Sequence, residues 1–416
     1  MIDLATIKDS GITCVVRQPN FAGAESKFMD EKINNQILAG EITALTIDTS
    51  IFDRNSLALE SGLLAQLEHV RKGEFELVIA KAVANEVKRH LAKNATDATK
   101  ALRTALANTA KHQALSSVHQ EELVALSNRA ASDVDVRARK RFDDWAERVR
   151  AEIVNEDDYA SIGEVMRRYE AGEPPFAETG EKKQEFPDAV ALSTLEGWAE
   201  SRNTRILAVA HDKDWQRYGA QSKRLVVVDD LADALSTIQG AGAAREPAVR
   251  LATLFVAGDP VGLRAAVLKA ARNQVDKFEF SIDADSQFAV EEEGVDAVVD
   301  DVRLDIPDAT GASLDTISHD DGQAVIKVNA IAFLTIEVHF NFEKFDSIDR
   351  DYVGMGSAKI SNKVEIGVEL LVTVQIDPNE VTVDDVELLP AKHELYFNDL
   401  EPDWMSDPGN FGTDDR

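Results

Sequence analysis

The stretch Ile206-Leu207-Ala208-Val209-Ala210-His211-Asp212-Lys213-Asp214-Trp215 decides how this chain reads. Five apolar residues bounded by polar ones have the length and composition of a strand buried on both faces of a parallel sheet. Two carboxylates follow directly. In open α/β sheets, sites form in the crevice outside the carboxyl ends of the strands, so these acids stand where chemistry is expected. Three more segments have the same character: Leu45-Thr46-Ile47, Phe75 to Ala80, and Leu225 to Val228. Helical patterns lie between them. One carries Leu57, Gly62, Leu63, Leu64, Leu67 and Val70, and another, Ala189 to Ala199, carries Val190, Leu195 and Trp198 near one face. The alternation predicts an α/β domain, a parallel sheet with helices on both faces.

Other acids fall at matching places. Asp48 ends the first strand in Ile47-Asp48-Thr49-Ser50. Glu86 lies about two turns into the helix after the second strand. Asp188 follows Pro187, and proline favours the first helical position, so Asp188 falls in a first helical turn. Each acid has a plainer reading as well. Asp48 would serve as the cap of a helix beginning near Ile51. Glu86 would serve as a surface residue, and Asp188 would suit the positive end of its helix. One of Asp212 and Asp214 is expected to be a turn or cap residue, and Asp212, nearer the strand end, is the favoured ligand.

Gathering these carboxylates costs energy. Two unit charges 4 Å apart repel by about 4 kcal/mol at an effective dielectric near 20. Several such pairs rival the stability of a whole domain, roughly 5–15 kcal/mol. The cluster therefore has to be protonated or filled by a cation, and all-oxygen ligands suit Mg²⁺ or Mn²⁺.

The order Ile47-Asp48-Thr49, Asn85-Glu86, Glu181-Lys182-Lys183-Gln184-Glu185-Phe186-Pro187-Asp188-Ala189 and His211-Asp212-Lys213-Asp214-Trp215 resembles a PIN domain. It is most similar to the bacterial branch with a large helical insertion, over roughly residues 40–235. The Lys-Lys-x-Glu-Phe-Pro-Asp-Ala run followed by the strand and Asp-x-Asp is its most specific part. The resemblance implies a metal-dependent nuclease, usually acting on RNA. Its acidic quartet maps onto Asp48, Glu86, Asp188 and Asp212, with Asp214 as a fifth candidate ligand. Thr49, Ser50 and Asn55 would orient water or substrate, and Lys182 and Lys183 would contact phosphate. His211, where family members often have a small polar residue, departs from the pattern.

The chain has 416 residues, with 45 Lys and Arg against 75 Asp and Glu, a net charge of −30. That balance opposes a module that binds nucleic acid through bulk charge. The charge is uneven, however. Residues 241–416 hold 36 acidic and 14 basic residues, a net of −22, whereas residues 81–150 hold 14 basic and 9 acidic, a net of +5. The stretch from Val87 to Glu173 has no strand signal and reads as a helical insertion of two or three helices. Arg137, Arg139, Lys140, Arg141, Arg148 and Arg150 run along it as a solvated face or as a basic wall beside a polyanion groove.

One cysteine, Cys14, rules out a disulfide framework and a multi-cysteine zinc site. The start, from Met1 to Gly11, lacks a basic segment followed by an apolar run, and no stretch of about 18 apolar residues exists. No signal peptide, no membrane contact and a cytoplasmic location are therefore expected. Dinucleotide, P-loop, zincin and serine-hydrolase motifs are absent.

The domains are expected at 1–240, with the insertion at about 88–173, and at 241–416. In the second half Val249 to Asn273 reads as helix, broken at Asp259-Pro260. The period then changes to two. Every even position from Ile326 to Phe342 is apolar, as is every even position from Val364 to Ile376. Strict alternation predicts strands with one buried face, and Phe278, Phe280 and Ile282 suggest another. An α+β domain rich in antiparallel strands follows. Its acidic clusters, Glu291 to Glu293, Asp300-Asp301, Asp320-Asp321 and Asp384-Asp385, are expected in or near turns, and the tail from 397 is expected to be disordered.

The expected activity is hydrolysis of phosphodiesters by a metal-activated water, in an endoribonuclease acting on single-stranded RNA. A toxin or antiphage role fits the resemblance. A basic protein partner for the acidic domain and self-association are further expectations. A non-catalytic scaffold with an inactive PIN-like domain is the alternative. A phosphatase of the haloacid-dehalogenase type fails, because no Asp stands two residues after Asp48.

Overall fold

The computed structural model describes residues 4–7, 14–17, 31–73, 75–176, 185–239, 245–320, 322–348, 350–377 and 380–406. It divides into two units, Phe28–Ala241, and Gly242–Arg416 together with Met1–Lys27.

The first unit is built on a five-stranded parallel sheet. Its strands lie in the order Glu152–Val154, Glu76–Ala80, Ile42–Ile47, Arg205–Val209 and Leu225–Val228. The three central strands are almost wholly buried, which is why they read as unbroken apolar runs. Ile47 and Val209 are register partners, so Asp48 and the 210–212 segment leave the sheet side by side. The amide of Asp48 donates to the carbonyl of Val209 at 2.9 Å. The strand Glu152–Val154 falls in the stretch expected to be wholly helical. It has three residues, one of them exposed, and that is too short to show a period.

The insertion begins with one long helix, Lys81–Lys111, followed by helices Ser117–Ala131 and Val134–Arg148. Two short ones, Glu156–Tyr159 and Ile162–Ala171, follow the edge strand. The helix Val134–Arg148 is anchored by aromatic packing. Phe142 and Trp145 meet Phe52 with ring centroids 6.1 and 5.1 Å away, and the Trp145 indole donates to the Leu64 carbonyl. The basic residues of this helix are mostly engaged. Arg139 pairs with Asp135, Lys140 with Asp144 and Arg141 with Glu60, while Arg148 donates to the carbonyl of Leu59. Arg141 and Arg148 thus fasten the helix to the loop before Ser61, whereas Arg139 and Lys140 pair within the helix itself.

The second unit contains two sheets. One has the long strands Gln323–Asp346 and Asp351–Ile376 paired antiparallel, flanked by Ala289–Leu304, Asp315–Asp320 and Val381–Leu388. The other has Leu4–Ile7, Cys14–Arg17, Ala391–Leu400 and Phe278–Ser286, the last two running parallel. Helices Arg245–Val256 and Leu263–Asn273 contribute Leu251, Leu263 and Val267 to the core of this unit. Two expectations need correction. Residues 1–27 group with this unit, not with 28–241, because Cys14–Arg17 pairs with Glu394 to Phe397. Residues 397–406 continue a strand and form a short helix, so the described part of the tail is ordered by pairing. The remainder, 407–416, lies outside the described residues. Among the described residues no helix is long and apolar enough to cross a membrane.

Candidate metal and nucleic-acid site

Asp48 is the N-cap of the helix Thr49–Arg54, as its plainer reading required, and it is 4 % exposed. Its Oδ2 accepts from the Ser50 amide at 3.1 Å and from the Ser50 hydroxyl at 2.6 Å. The same hydroxyl accepts from the His211 amide at 3.1 Å. Ser50 thus ties the ends of the two central strands together. Burial raises the Asp48 pKa, the Ser50 hydrogen bonds oppose that, and the charge of Asp212 adds to it.

Asp212 caps the helix Lys213–Gly219, accepting from the Asp214 amide. Both acids at strand ends therefore cap helices, and capping leaves carboxylate lone pairs available for further bonds. Glu86 sits on the helix Lys81–Lys111, where its Oε2 accepts from the Thr49 hydroxyl at 3.1 Å. Its other oxygen accepts from Arg89 at 2.7 Å and lies 3.9 Å from His90 Nε2. Asp53 holds the other ring nitrogen of His90 at 2.9 Å.

Asp188 lies in the first turn of the helix Phe186–Arg202, which has a proline at its start. Phe186 fixes that start by packing against Tyr169 and Phe176, each with its centroid 5.0 Å away. Burial pushes the Asp188 carboxyl up to about 7, with the charges of Asp48, Asp212 and Glu86 adding to the shift. The indole N–H of Trp215 donates to it at 3.3 Å and pulls the other way. The four acids are thus joined in one electrostatic field. Asp214, the fifth candidate, is held by Arg217 at 2.6 Å. Lys182 and Lys183 lie outside the described residues. Asn55 donates to the Ile51 carbonyl and closes its helix.

Residues 45–215 match the PIN domain family model. The C-terminal region has no family match. No curated protein and no solved structure matches the chain. PIN domains are generally nucleases that use divalent metals such as Mg²⁺, and nucleic acid is the partner the family implies. The PIN region here is followed by the antiparallel-rich C-terminal unit, as the change of period implies.

The donors at the PIN site suit a hard cation. They are carboxylates, and a bound positive charge would offset both the burial of Asp48 and the mutual repulsion felt by Asp188. Among the described residues, three ligand atoms come within 4.8 Å of one another only at Asp296, Glu337 and His339 of the C-terminal sheet. There the Lys359 ammonium already neutralises Glu337. No three of the acids Asp48, Glu86, Asp188 and Asp212 come that close together. Thr49, Ser50, Trp215 and His90 contact the acids directly. Trp215 and His90 carried no signal in the sequence, because an aromatic at helical spacing reads as core and the eight histidines are scattered.

Proposed function

We propose that this protein is a divalent-metal-dependent endonuclease cleaving single-stranded RNA. Asp48, Glu86, Asp188 and Asp212 would hold Mg²⁺ or Mn²⁺ at the carboxyl ends of the central strands. The observation that carries the reading is the carboxyl of Asp188, lifted to about 7 by burial and by the three neighbouring acids. A structural cap would not need company of that charge. When bound, the ion would neutralise charge on the transferring phosphoryl group and activate water.

The chain's own residues have separate tasks in this proposal. Ser50 would hold Asp48 ionised and fix its rotamer. Thr49 would do the same for Glu86, so both hydroxyls would position carboxylates more than they touch phosphate. Trp215 would keep Asp188 able to ionise near neutral pH. Asp214, paired with Arg217, would shape the loop and be the weakest ligand of the five. Lys182 and Lys183 would approach the phosphate from the segment preceding Asp188. The proposed location is the cytoplasm.

Labelled single-stranded RNA and DNA, incubated with Mn²⁺, provide the test, with EDTA and Asp188→Asn as controls. Cleavage of RNA that needs both the ion and Asp188 is expected. Cleavage that survives Asp188→Asn, or none with the folded, Mn²⁺-loaded protein, would overturn the assignment.

A further inference from the structure

A cavity of about 430 Å³ opens in the first unit between the long helix Lys81–Lys111, the end of helix Ser117–Ala131, helix Val134–Arg148 and the loop after Asp48's helix. Its lining is mixed: Leu57, Leu91, Val134 and Ala138 supply apolar surface, Ser56, Thr99 and Arg141 stand among them, and the exposed Asn94 and Arg137 complete it. Leu57, Leu91 and Ala138 are buried, so the floor is formed by packed side chains.

The cavity is tied to the acidic site by the helix they share. Glu86, His90 and Asn94 follow one another at four-residue steps, a row that turns slowly around a helix. From Glu86 to Asn94 the rise is about 12 Å. A stacked strand advances ~3.4 Å per nucleotide, so a few nucleotides span the distance. The loop on the opposite wall also descends from the site, since it follows the helix that Asp48 caps. That loop holds Ser56 and Leu57 at φ values of 52° and 54°, a region costly for a leucine. The Leu57 amide donates to Phe52, and Arg141 donates to the Leu57 carbonyl at 3.0 Å, which keeps the strained wall in place. Backbone strain of this kind persists where the surroundings enforce it, often at binding sites.

We propose that this cavity seats one unpaired base of a single-stranded nucleic acid whose backbone crosses the acidic cluster. The proposal rests on the nuclease reading for the path of the strand. The volume is at the low end for ligand sites, roughly 300–1,000 Å³, enough for one flat heterocycle. The apolar part of the lining accepts the faces of a base, and the Asn94 amide offers both a donor and an acceptor to its edge. Arg137 donates to the Ser132 and Ala130 carbonyls, which leave its charge uncancelled at the rim for the adjoining phosphate. The occupant must be unpaired, because a base inside a duplex cannot leave its stack without cost.

The test uses the full chain carrying Asp188→Asn, with single-stranded oligonucleotides that place 2-aminopurine at each position in turn. One position should change its emission on binding, and the same oligonucleotide annealed to its complement should not. Ala130→Trp, at an exposed lining position, should fill the cavity and abolish that change, with binding about tenfold weaker. Asn94→Ala, also exposed, should alter the preference among bases at that position. Emission that changes at no single position, or that Ala130→Trp leaves intact, overturns the proposal, as does failure of any single strand to bind. The two readings separate cleanly. A position-specific signal without cleavage by the wild type would keep the cavity and remove the nuclease, and cleavage without positional dependence would do the reverse.

Discussion

The indole N–H of Trp215 reaches Asp188 across 3.3 Å, from a ring that is itself fully buried. Among the described residues this rigidly placed indole is the side-chain donor that favours the ionised form of Asp188, an acid that burial and its neighbours' charges push upward. Trp215→Phe should therefore move the Asp188 pKa further upward. Mn²⁺ affinity should fall about three- to tenfold at pH 7 and recover by pH 8.5, with about 1–2 kcal/mol lost in stability. Calorimetric titration at both pH values checks this. An equal loss at both would mean that the substitution acts through packing alone.

Asp188 also predicts how the metal-free protein responds to pH. Its folded pKa, about 7, stands above the ordinary 3.8, so the folded state binds the extra proton between those values. Stability from this group is whole below pH 4 and is lost as pH rises through 7. The loss is on the order of 4 kcal/mol at most, since one pKa unit is about 1.4 kcal/mol. Asp188→Asn should raise the melting temperature in EDTA by several degrees at pH 8 and leave it unchanged at pH 4. Mn²⁺ should stabilise the wild type at pH 8 far more than the variant.

Gly197 lies on the Asp188 helix, and a Cβ there would meet the Tyr159 carbonyl oxygen at 2.2 Å. Backbone cannot withdraw cheaply, so Gly197→Ala should cost about 1–3 kcal/mol. It should also displace the helix start. Chemical denaturation reads the first effect and Mn²⁺ affinity the second.

In the second unit His393 is 1 % exposed and packs near Phe278 and Phe280, and among the described residues neither ring nitrogen has a hydrogen-bond partner. Burial lowers its pKa to about 4. The unfolded chain takes up a proton near pH 6.5 and the folded one does not, so stability falls as pH drops from 6.5 to 4. The drop is about 3 kcal/mol. His393→Phe should remove that slope and be neutral or stabilising at pH 7, as denaturation midpoints at pH 4.5 and 7 would show.

The buried strands of the first unit were legible because each is a short apolar run with an acid at or beyond its end. Pro187 likewise announced the turn that holds Asp188. The strand Ala289–Leu304 was not legible, and its acids were expected in turns. Its register slips at Glu293 and again at Asp300, each left unpaired opposite Gln323–Asp346. A bulge shifts a strand's alternation by one residue, so a strand with two of them shows no steady period. Asp384 does the same within Val381–Leu388. The acid pairs read as turn signals are in these cases bulge residues within strands. Thr49 and Ser50 were expected to orient water or substrate; their hydroxyls donate to Glu86 and Asp48, and which oxygen each faces depends on how two strand ends meet in space.

The pairing of Arg17 with Glu394 has a consequence for how the molecule is made. The unit Phe28–Ala241, which contains the matched residues 45–215, is inserted into the middle of the other unit's chain. At roughly 5–20 residues per second of synthesis, the first strands emerge on the order of 20–80 s before the strand they must join. Meanwhile the inserted unit has all of its own chain and can finish folding. The acidic unit cannot close until Glu394 to Phe397 have been made, so a product truncated before them would carry Asp48, Glu86, Asp188 and Asp212 and would leave Cys14–Arg17 without its partner strand.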